Sequence, residues 1–550
     1  TNATTSASWD AGTGTVLFDS ATGGTMTFAG ANLAEAEFNS VTFTSSAGTA
    51  QTFTMATRGL RWLTTLTVSD ASSTTALTSA DLALGVAADA ADIVVGNGGI
   101  LTANASTVLI NGFTMTGGTS GTLTITTGAW TVSGGNWNSS GAGSIFTQGT
   151  GSHIFGDATI TMLATDNTFD DFDSGAGTVT LATALIVTNV LLISSGTLVK
   201  TTFTITASSL TMSGGDLTST SGDVSITGSV NISNSVSQID FGSETWTVSG
   251  TWTNSTTDAA WDAGTGTVIF DSATGGTMTF AGANLAEAEF NNVTFASSAG
   301  TAQTFTMATR GLRWDVSASA LLTVTDTSST TTLSTAGLAL TGGGVTISGT
   351  SPAGGTISMG ASAVSISGNW TSNASGATVT FGTSTVTATA SLTMTTATDN
   401  YFTEDFYNVT VNTGVTLTIS NGLSMANNLT MTGTGALTGA FVTGIGFATT
   451  DTANPITIGT GGFGTSTGLY LSNGGGTGNF NVPTSATYPS LRIFPAVLNA
   501  VATVTGNITA SALTLSPDVA QAGMTISAGA SNITVTGALT VGVVSNGIGL

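Results

Sequence analysis

Residues 1–62 recur at 253–314 with only six differences. The kinship runs on, because "LTVSDASSTTALTSADLAL" (66–84) matches "LTVTDTSSTTTLSTAGLAL" (322–340) after a four-residue insertion behind Trp314. A fixed, near-identical period constrains a chain more than its composition does. Each repeat is one supersecondary unit that buries its apolar face on its neighbours. Weaker copies of one motif lie between and after: "WTVSGGNWNSSGAG" (130–143), "WTVSGTWTNSTTDA" (246–259) and "VSISGNWTSNASGA" (364–377). About 30 residues later each copy reaches an acidic residue before an aromatic one: Glu37-Phe38, Asp171-Phe172, Glu289-Phe290 and Asp405-Phe406. The repeats divide the chain into five super-repeats: 1–128, 129–244, 245–362 as a near-copy of the first, 363–440, and a divergent 441–550 that holds five of the six prolines.

Inside each super-repeat run short alternating segments such as "TVLF", "TMTF", "TLTITTG" and "VSITG", each closed by Gly, Ser, Asn or Asp. Period-two alternation with such punctuation predicts strands and tight turns. No stretch holds a capped helical period, and the best helical candidate, "ANLAEAEF", is too short to stand alone. Loops of two to four residues and the lack of any sandwich signature favour one architecture. The expected fold is all-β, a parallel β-helix (β-solenoid) with no significant helix. At roughly 20–25 residues per coil the chain would make on the order of 24 coils, a rod of roughly 110 Å.

Charge narrows the function. The net charge is −23, and the six cations are one lysine and five arginines. Nucleic-acid binding needs cationic side chains in number, as does an anionic membrane surface, so both partners are excluded. No apolar run is long enough for a membrane helix, so no membrane insertion is expected. Without cysteine there are no disulfides or thiolate sites. The chain begins with Thr1, which reads as a mature secreted chain trimmed of its signal peptide, and twelve Asn-x-Ser/Thr sequons, Asn104, Asn254, Asn369 and Asn428 among them, permit glycosylation.

The segment "GNWTSNASGATVTFGTSTVT…DFYNVTVNTGVTLTISNGLSMANNLTMTGTGALTG" (368–439), the "AGTGTV-F" strand at 11–18 and 263–270, and "FNNVTF" at 290–295 carry a resemblance. They resemble the repetitive β-solenoid surface proteins of bacteria and archaea, haemagglutinin-like and autotransporter-passenger-like. The resemblance implies an extracellular, cell-surface location and a role as adhesin, stalk or fibre. The chain departs from the large adhesins in being short and showing no anchor or translocator segment.

Catalytic chemistry finds little purchase. The only histidine, His153 in "GTGSHIFGD", reads as a surface turn or strand residue. A glycan-cleaving β-helix enzyme would need paired carboxylates, for which Asp170, Asp171 and Asp173 in "TFDDFDSG" or Glu404 and Asp405 in "YFTEDFYN" are the candidates. Their recurrence at one place in successive repeats argues for scaffold corners rather than an active site, so no enzyme and no catalytic residue is expected. The Asp170, Asp171 and Asp173 turn has the hard oxygen ligands for Ca²⁺, the one cofactor considered. Four arginines sit in the duplicated "TRGLRW". Glu35 precedes Arg58 by 23 residues and Glu287 precedes Arg310 by 23, about one coil, which predicts stacked salt bridges or, facing outward, subunit contacts. The nine tryptophans, most of them at repeat seams, read as aromatic stacks at coil corners, with carbohydrate platforms as the alternative. Lys200, as the lone lysine, limits intramolecular isopeptide crosslinks to one.

The lead-in "SETWTVSGTW" (243–252) precedes the second copy and not the first, while "NITVTGALT" (532–540) resembles "TWTVSGTWT" (245–253). That register suggests head-to-tail self-assembly, with the C-terminal coil and the Val541–Leu550 tail of one copy meeting the next. The expected function is a non-enzymatic structural subunit of an extracellular filament, sheath or surface layer. The alternative is a monomeric adhesin stalk that binds glycans or other cells.

Overall fold

The computed structural model describes the chain except residues 3, 5–8, 30–35, 86–90, 116–120, 164–166, 397–405, 422, 424, 440, 447–455, 465–467, 473–479, 483–486, 494–500, 505–506, 516–524, 528–531 and 542–550. It is an all-β parallel solenoid of about 19 turns. The coils are fewer than the sequence reading gives, although the spacing of most paired strands stays near the expected ~20–25 residues. Paired positions lie as close as 18 residues apart, as at Thr168 and Ile186, and as far as 29, as at Val293 and Leu322. Corner loops of unequal length account for most of the spread, and bulges shift the register by a residue within a few pairs, as between Phe38 and Ser40. The helical candidate reduces, in its second copy, to one 3-10 turn at Gly282–Asn284.

Local alternation dictates the strands. In Gln51–Met55, Gln51, Phe53 and Met55 are buried while Thr52 and Thr54 face out, and Gln303–Met307 repeats the pattern. β-branched and aromatic residues suit such pleated, half-buried surfaces. Parallel pairing then places like on like in the interior. One inward column runs Val108, Trp130, His153, Phe172, Leu191, Leu210, Val230 through successive coils. Burying each such apolar side chain contributes about 1.5–3 kcal/mol.

The chain forms two compact units: Thr1–Ser249 with Thr253–Gly266, and Gly250–Trp252 with Thr267–Leu550. In the first, an 11-stranded parallel sheet runs from Thr15–Asp19 to Ile239–Asp240, and a six-stranded one from Gly24–Met26 to Ile145–Gln148. A further ladder carries the inward column above. The second unit has a five-stranded sheet from Gly276–Met278 to Thr378–Thr380 and a seven-stranded one from Leu312–Arg313 to Ile456–Thr457. Its third ladder starts at Thr267–Asp271 and reaches Gly462–Phe463. Two smaller sheets follow between Phe441–Gly446 and Ile533–Val541.

Candidate functional site

Among the described residues the polar groups with chemical capability fall into several settings, most of them hydrogen-bonded staples. The first is a turn that sequence reasoning passed over. Asp70 Oδ1 accepts the backbone N–H of Ser72 and of Ser73, both at 2.9 Å, and its Oδ2 accepts the hydroxyls of Ser73 (2.9 Å) and Thr75 (3.0 Å). Asp326 repeats the set with Ser328, Ser329 and Thr331 at 2.8–2.9 Å. Gln51 and Gln303 donate from the adjoining coil to Thr75 and Thr331. Desolvation works against these carboxylates, but the backbone and hydroxyl donors outweigh it and hold both at about 2. The signal was present in "DASSTT" and "DTSSTT": Asp with Ser at the second and third following positions is an Asx-turn pattern.

The second setting is the acidic-aromatic step. Glu289 is fully buried and accepts the Trp252 indole N–H at 2.9 Å and the Ala281 backbone N–H at 2.8 Å. Glu37, its copy, accepts from Asn2 Nδ2 at 2.6 Å and from Ala29 N at 2.8 Å. The same carboxylate thus holds the equivalent alanine N–H in both copies and takes a different second partner. Asp171, at the equivalent step, instead faces out from the strand Asp171–Ser174.

His153 corrects a sequence expectation. It is a buried core residue, not a surface one. The strand Ser152–Phe155 puts His153 and Phe155 inward and Ile154 outward, so the register of the larger Phe155 decides the face. The imidazole sits among Trp130, Trp137, Phe146, Phe155 and Phe169, with ring centroids 4.8–6.2 Å away. Neither ring nitrogen has a hydrogen-bond partner among the described residues, and burial pushes its pKa down to about 3. Such a group cannot serve as a general base near neutral pH.

Lys200 is equally enclosed. Its ammonium donates to the carbonyls of Phe203, Ser221 and Gly222, closing a corner against the next coil. Desolvation lowers its pKa, and the charges of Glu244 and Asp223 oppose that.

The three aspartates named for calcium turn toward the following coil. Asp170 accepts the Thr188 hydroxyl (3.0 Å), Asp171 accepts Asn189 Nδ2 (2.8 Å) and Val190 N (3.1 Å), and Asp173 accepts the Ser194 hydroxyl (3.0 Å) and N–H (3.2 Å). Desolvation raises the pKa of Asp173 despite those Ser194 bonds. Among the described residues no three His, Cys, Asp or Glu side chains gather as a metal set. Glu404 and Asp405 lie outside the described residues, as does Glu35, so its pairing with Arg58 does too. Arg58 reaches the Asn2 carbonyl at 3.4 Å. Glu287 is exposed and Arg310 half-buried, while Arg313 donates to the carbonyls of Leu285 and Ala286. Eight of the nine tryptophans are buried, Trp9 being half-buried, so those eight offer no face to a sugar. Compared with known proteins, the chain matches no family model, and no curated protein or solved structure matches it significantly.

Proposed function

We propose that the chain is a non-enzymatic structural subunit of an extracellular filament, sheath or surface layer, assembled from copies of itself end to end. One observation supports this reading above others. Among the described residues, several side chains able to do chemistry are taken up by the scaffold: His153 in an aromatic cage, Lys200 on three carbonyls, Asp70 and Asp326 in local turns, Glu289 on Trp252. A duplicated set of staples in a charge-poor chain suits a scaffold, whereas a catalyst keeps one such set strained and open. A parallel ladder extends by adding one more strand to its edge, which is the natural mode of assembly for such subunits. Electron microscopy of the purified chain over a concentration series tests the reading. Fibres whose axial repeat matches one solenoid length support it. Separate rods at every concentration overturn it and favour the adhesin stalk.

A further inference from the structure

Thr15–Asp19 pairs with one neighbouring strand, Phe38–Thr44, and Ile533–Val541 pairs with one, Ile508–Leu515. Each therefore has a second edge whose backbone groups meet no strand among the described residues. Nine large apolar side chains are exposed among the described residues, and four of them lie on these two strands: Val16, Leu17, Leu539 and Val541. Single exposed apolar side chains are ordinary, whereas a gathering of them marks a place for a partner. Here they gather on two open edges, one in each unit.

The duplication displays the first of these edges in a covered state. Val16 and Phe18 recur as Val268 and Phe270. Val16 is 39% exposed and Phe18 half-buried, whereas Val268 is 3% exposed and Phe270 fully buried. In the second copy Trp252 lies over this patch. Its ring centroid is 5.9 Å from that of Phe270 and 5.3 Å from that of Phe290, and its indole N–H donates to Glu289 at 2.9 Å. In the first copy Phe18 and Phe38 hold the places of Phe270 and Phe290, Phe38 is half-buried where Phe290 is buried, and Asn2 donates to Glu37 where the indole donates to Glu289. The first copy thus presents a seat for one large apolar side chain, carried on a strand laid along Thr15–Asp19.

Ile533–Val541 carries such a side chain. Aligning "NITVTGALT" (532–540) on "TWTVSGTWT" (245–253) sets Leu539 at the position of Trp252. Leu539 belongs to an inward column, since its partner Leu513 is buried, yet Leu539 itself is 59% exposed. Charge agrees with a joint between copies. Two chains of net charge −23 repel, but residues 519–550 hold no charged side chain, and Asp10 is the one charged side chain ahead of Asp19. Both strands already pair in parallel, so laying one along the other continues the same ladder. We propose that Ile533–Val541 of one copy adds to the open edge of Thr15–Asp19 in a second copy, with Leu539 seated against Phe18 and Phe38. This rests on the end-to-end reading above and names its joint. The contact is heterologous, so it propagates from copy to copy.

The test is sedimentation velocity on the full chain, as wild type, as Val16→Asp, as Leu539→Asp, and as a mixture of the two variants. Both substituted side chains are exposed, so each variant should keep its β signal in circular dichroism. The wild type should assemble progressively with concentration. Each variant alone should need a concentration about a hundredfold higher, because every joint would bury an unpaired carboxylate. The mixture should give dimers and nothing larger. In it the intact Ile533–Val541 of the Val16→Asp chain meets the intact Thr15–Asp19 of the Leu539→Asp chain, and both remaining edges are spoiled. Variants that assemble like the wild type overturn this joint and leave the end-to-end reading standing. So does a mixture that stays monomeric while the wild type assembles. A wild type that stays monomeric at every concentration overturns both.

Discussion

Replacing His153 with phenylalanine isolates a titration that the fold has made costly. In the folded chain the imidazole is wholly enclosed by rings and its pKa falls to about 3, against 6.5 for the free side chain. A depressed pKa means that the unfolded chain binds the proton more readily. Stability is therefore complete above about pH 6.5 and is lost progressively as pH falls toward 3. The groups that pack around the ring are aromatic, and the acids on the adjoining strand, Asp171 and Asp173, are engaged with Asn189 and Ser194. Nothing there offsets a charged imidazolium. At about pH 4.5, two units below the free value, the penalty is about 2.7 kcal/mol, or roughly a hundredfold in the opening equilibrium of that region. Phenylalanine has nearly the same shape and removes two buried nitrogens that lack partners, so the variant should gain about 1 kcal/mol even at about pH 8. The assay is hydrogen exchange by mass spectrometry over 130–172, wild type against His153→Phe, at both pH values, because a repeat array opens locally. Subtracting the variant cancels carboxylate titration and the intrinsic pH dependence of exchange. The gap in protection should widen about a hundredfold on acidification. A gap that does not change with pH would show that the imidazole reaches water or a partner, and the reasoning would fail.

Asp326→Ala should remove the four-bond turn and expose the Thr330–Ser334 strand to exchange. In the wild type the same turn should hold above pH 3.8 and loosen as pH falls through about 2, because the folded pKa is the lower one. Gly342→Ala should cost several kcal/mol, since a Cβ there would lie 2.2 Å from the Trp314 ring, and Trp314 fluorescence should report the displaced indole. Asp262→Asn should stabilise the first unit near neutral pH by roughly 1 kcal/mol or less, because Asp262 faces Asp240 across a parallel bridge. The gain should vanish in acid, because desolvation and the neighbouring charges raise the Asp240 pKa and its protonation removes the repulsion, and urea midpoints at about pH 7 and about pH 3 compare the two conditions.

Alternation and repetition made the architecture legible, since period-two patterning writes the inward face directly into runs such as Gln51–Met55. Coil number was less legible. It depends on corner loops, whose length the strand pattern does not fix. The buried His153 was missed because polarity was weighed above register, although the alternation with Phe155 allowed only one face. The Asp70 turn gives no apolar period to follow, since its role lies in the spacing of the hydroxyls of Ser73 and Thr75. Glu289 was seen as an acid before an aromatic. Its partner Trp252 lies 37 residues earlier, a distance no local pattern spans.

The low charge of the chain follows from its geometry rather than from its surroundings. In a parallel stack each outward position faces its counterpart in the next coil at about 4.8 Å, and a residue repeated down a file therefore faces itself. A repeated carboxylate would meet a like charge at every step, at roughly 1 kcal/mol per contact in water and more where the site is partly dry. Asp240 shows the cost: desolvation raises its pKa, and the charges of Asp262 and Glu244 raise it further. Threonine has no such penalty and can be repeated indefinitely. Duplication of a solenoid therefore favours neutral hydroxyl files on the faces and admits charge singly, at corners where a turn or a buried donor can receive it, as Asp326 and Glu289 are received. The unbroken file Thr25, Thr54, Thr78, Thr102, Thr124 and Thr147 of the six-stranded sheet is the far end of that selection.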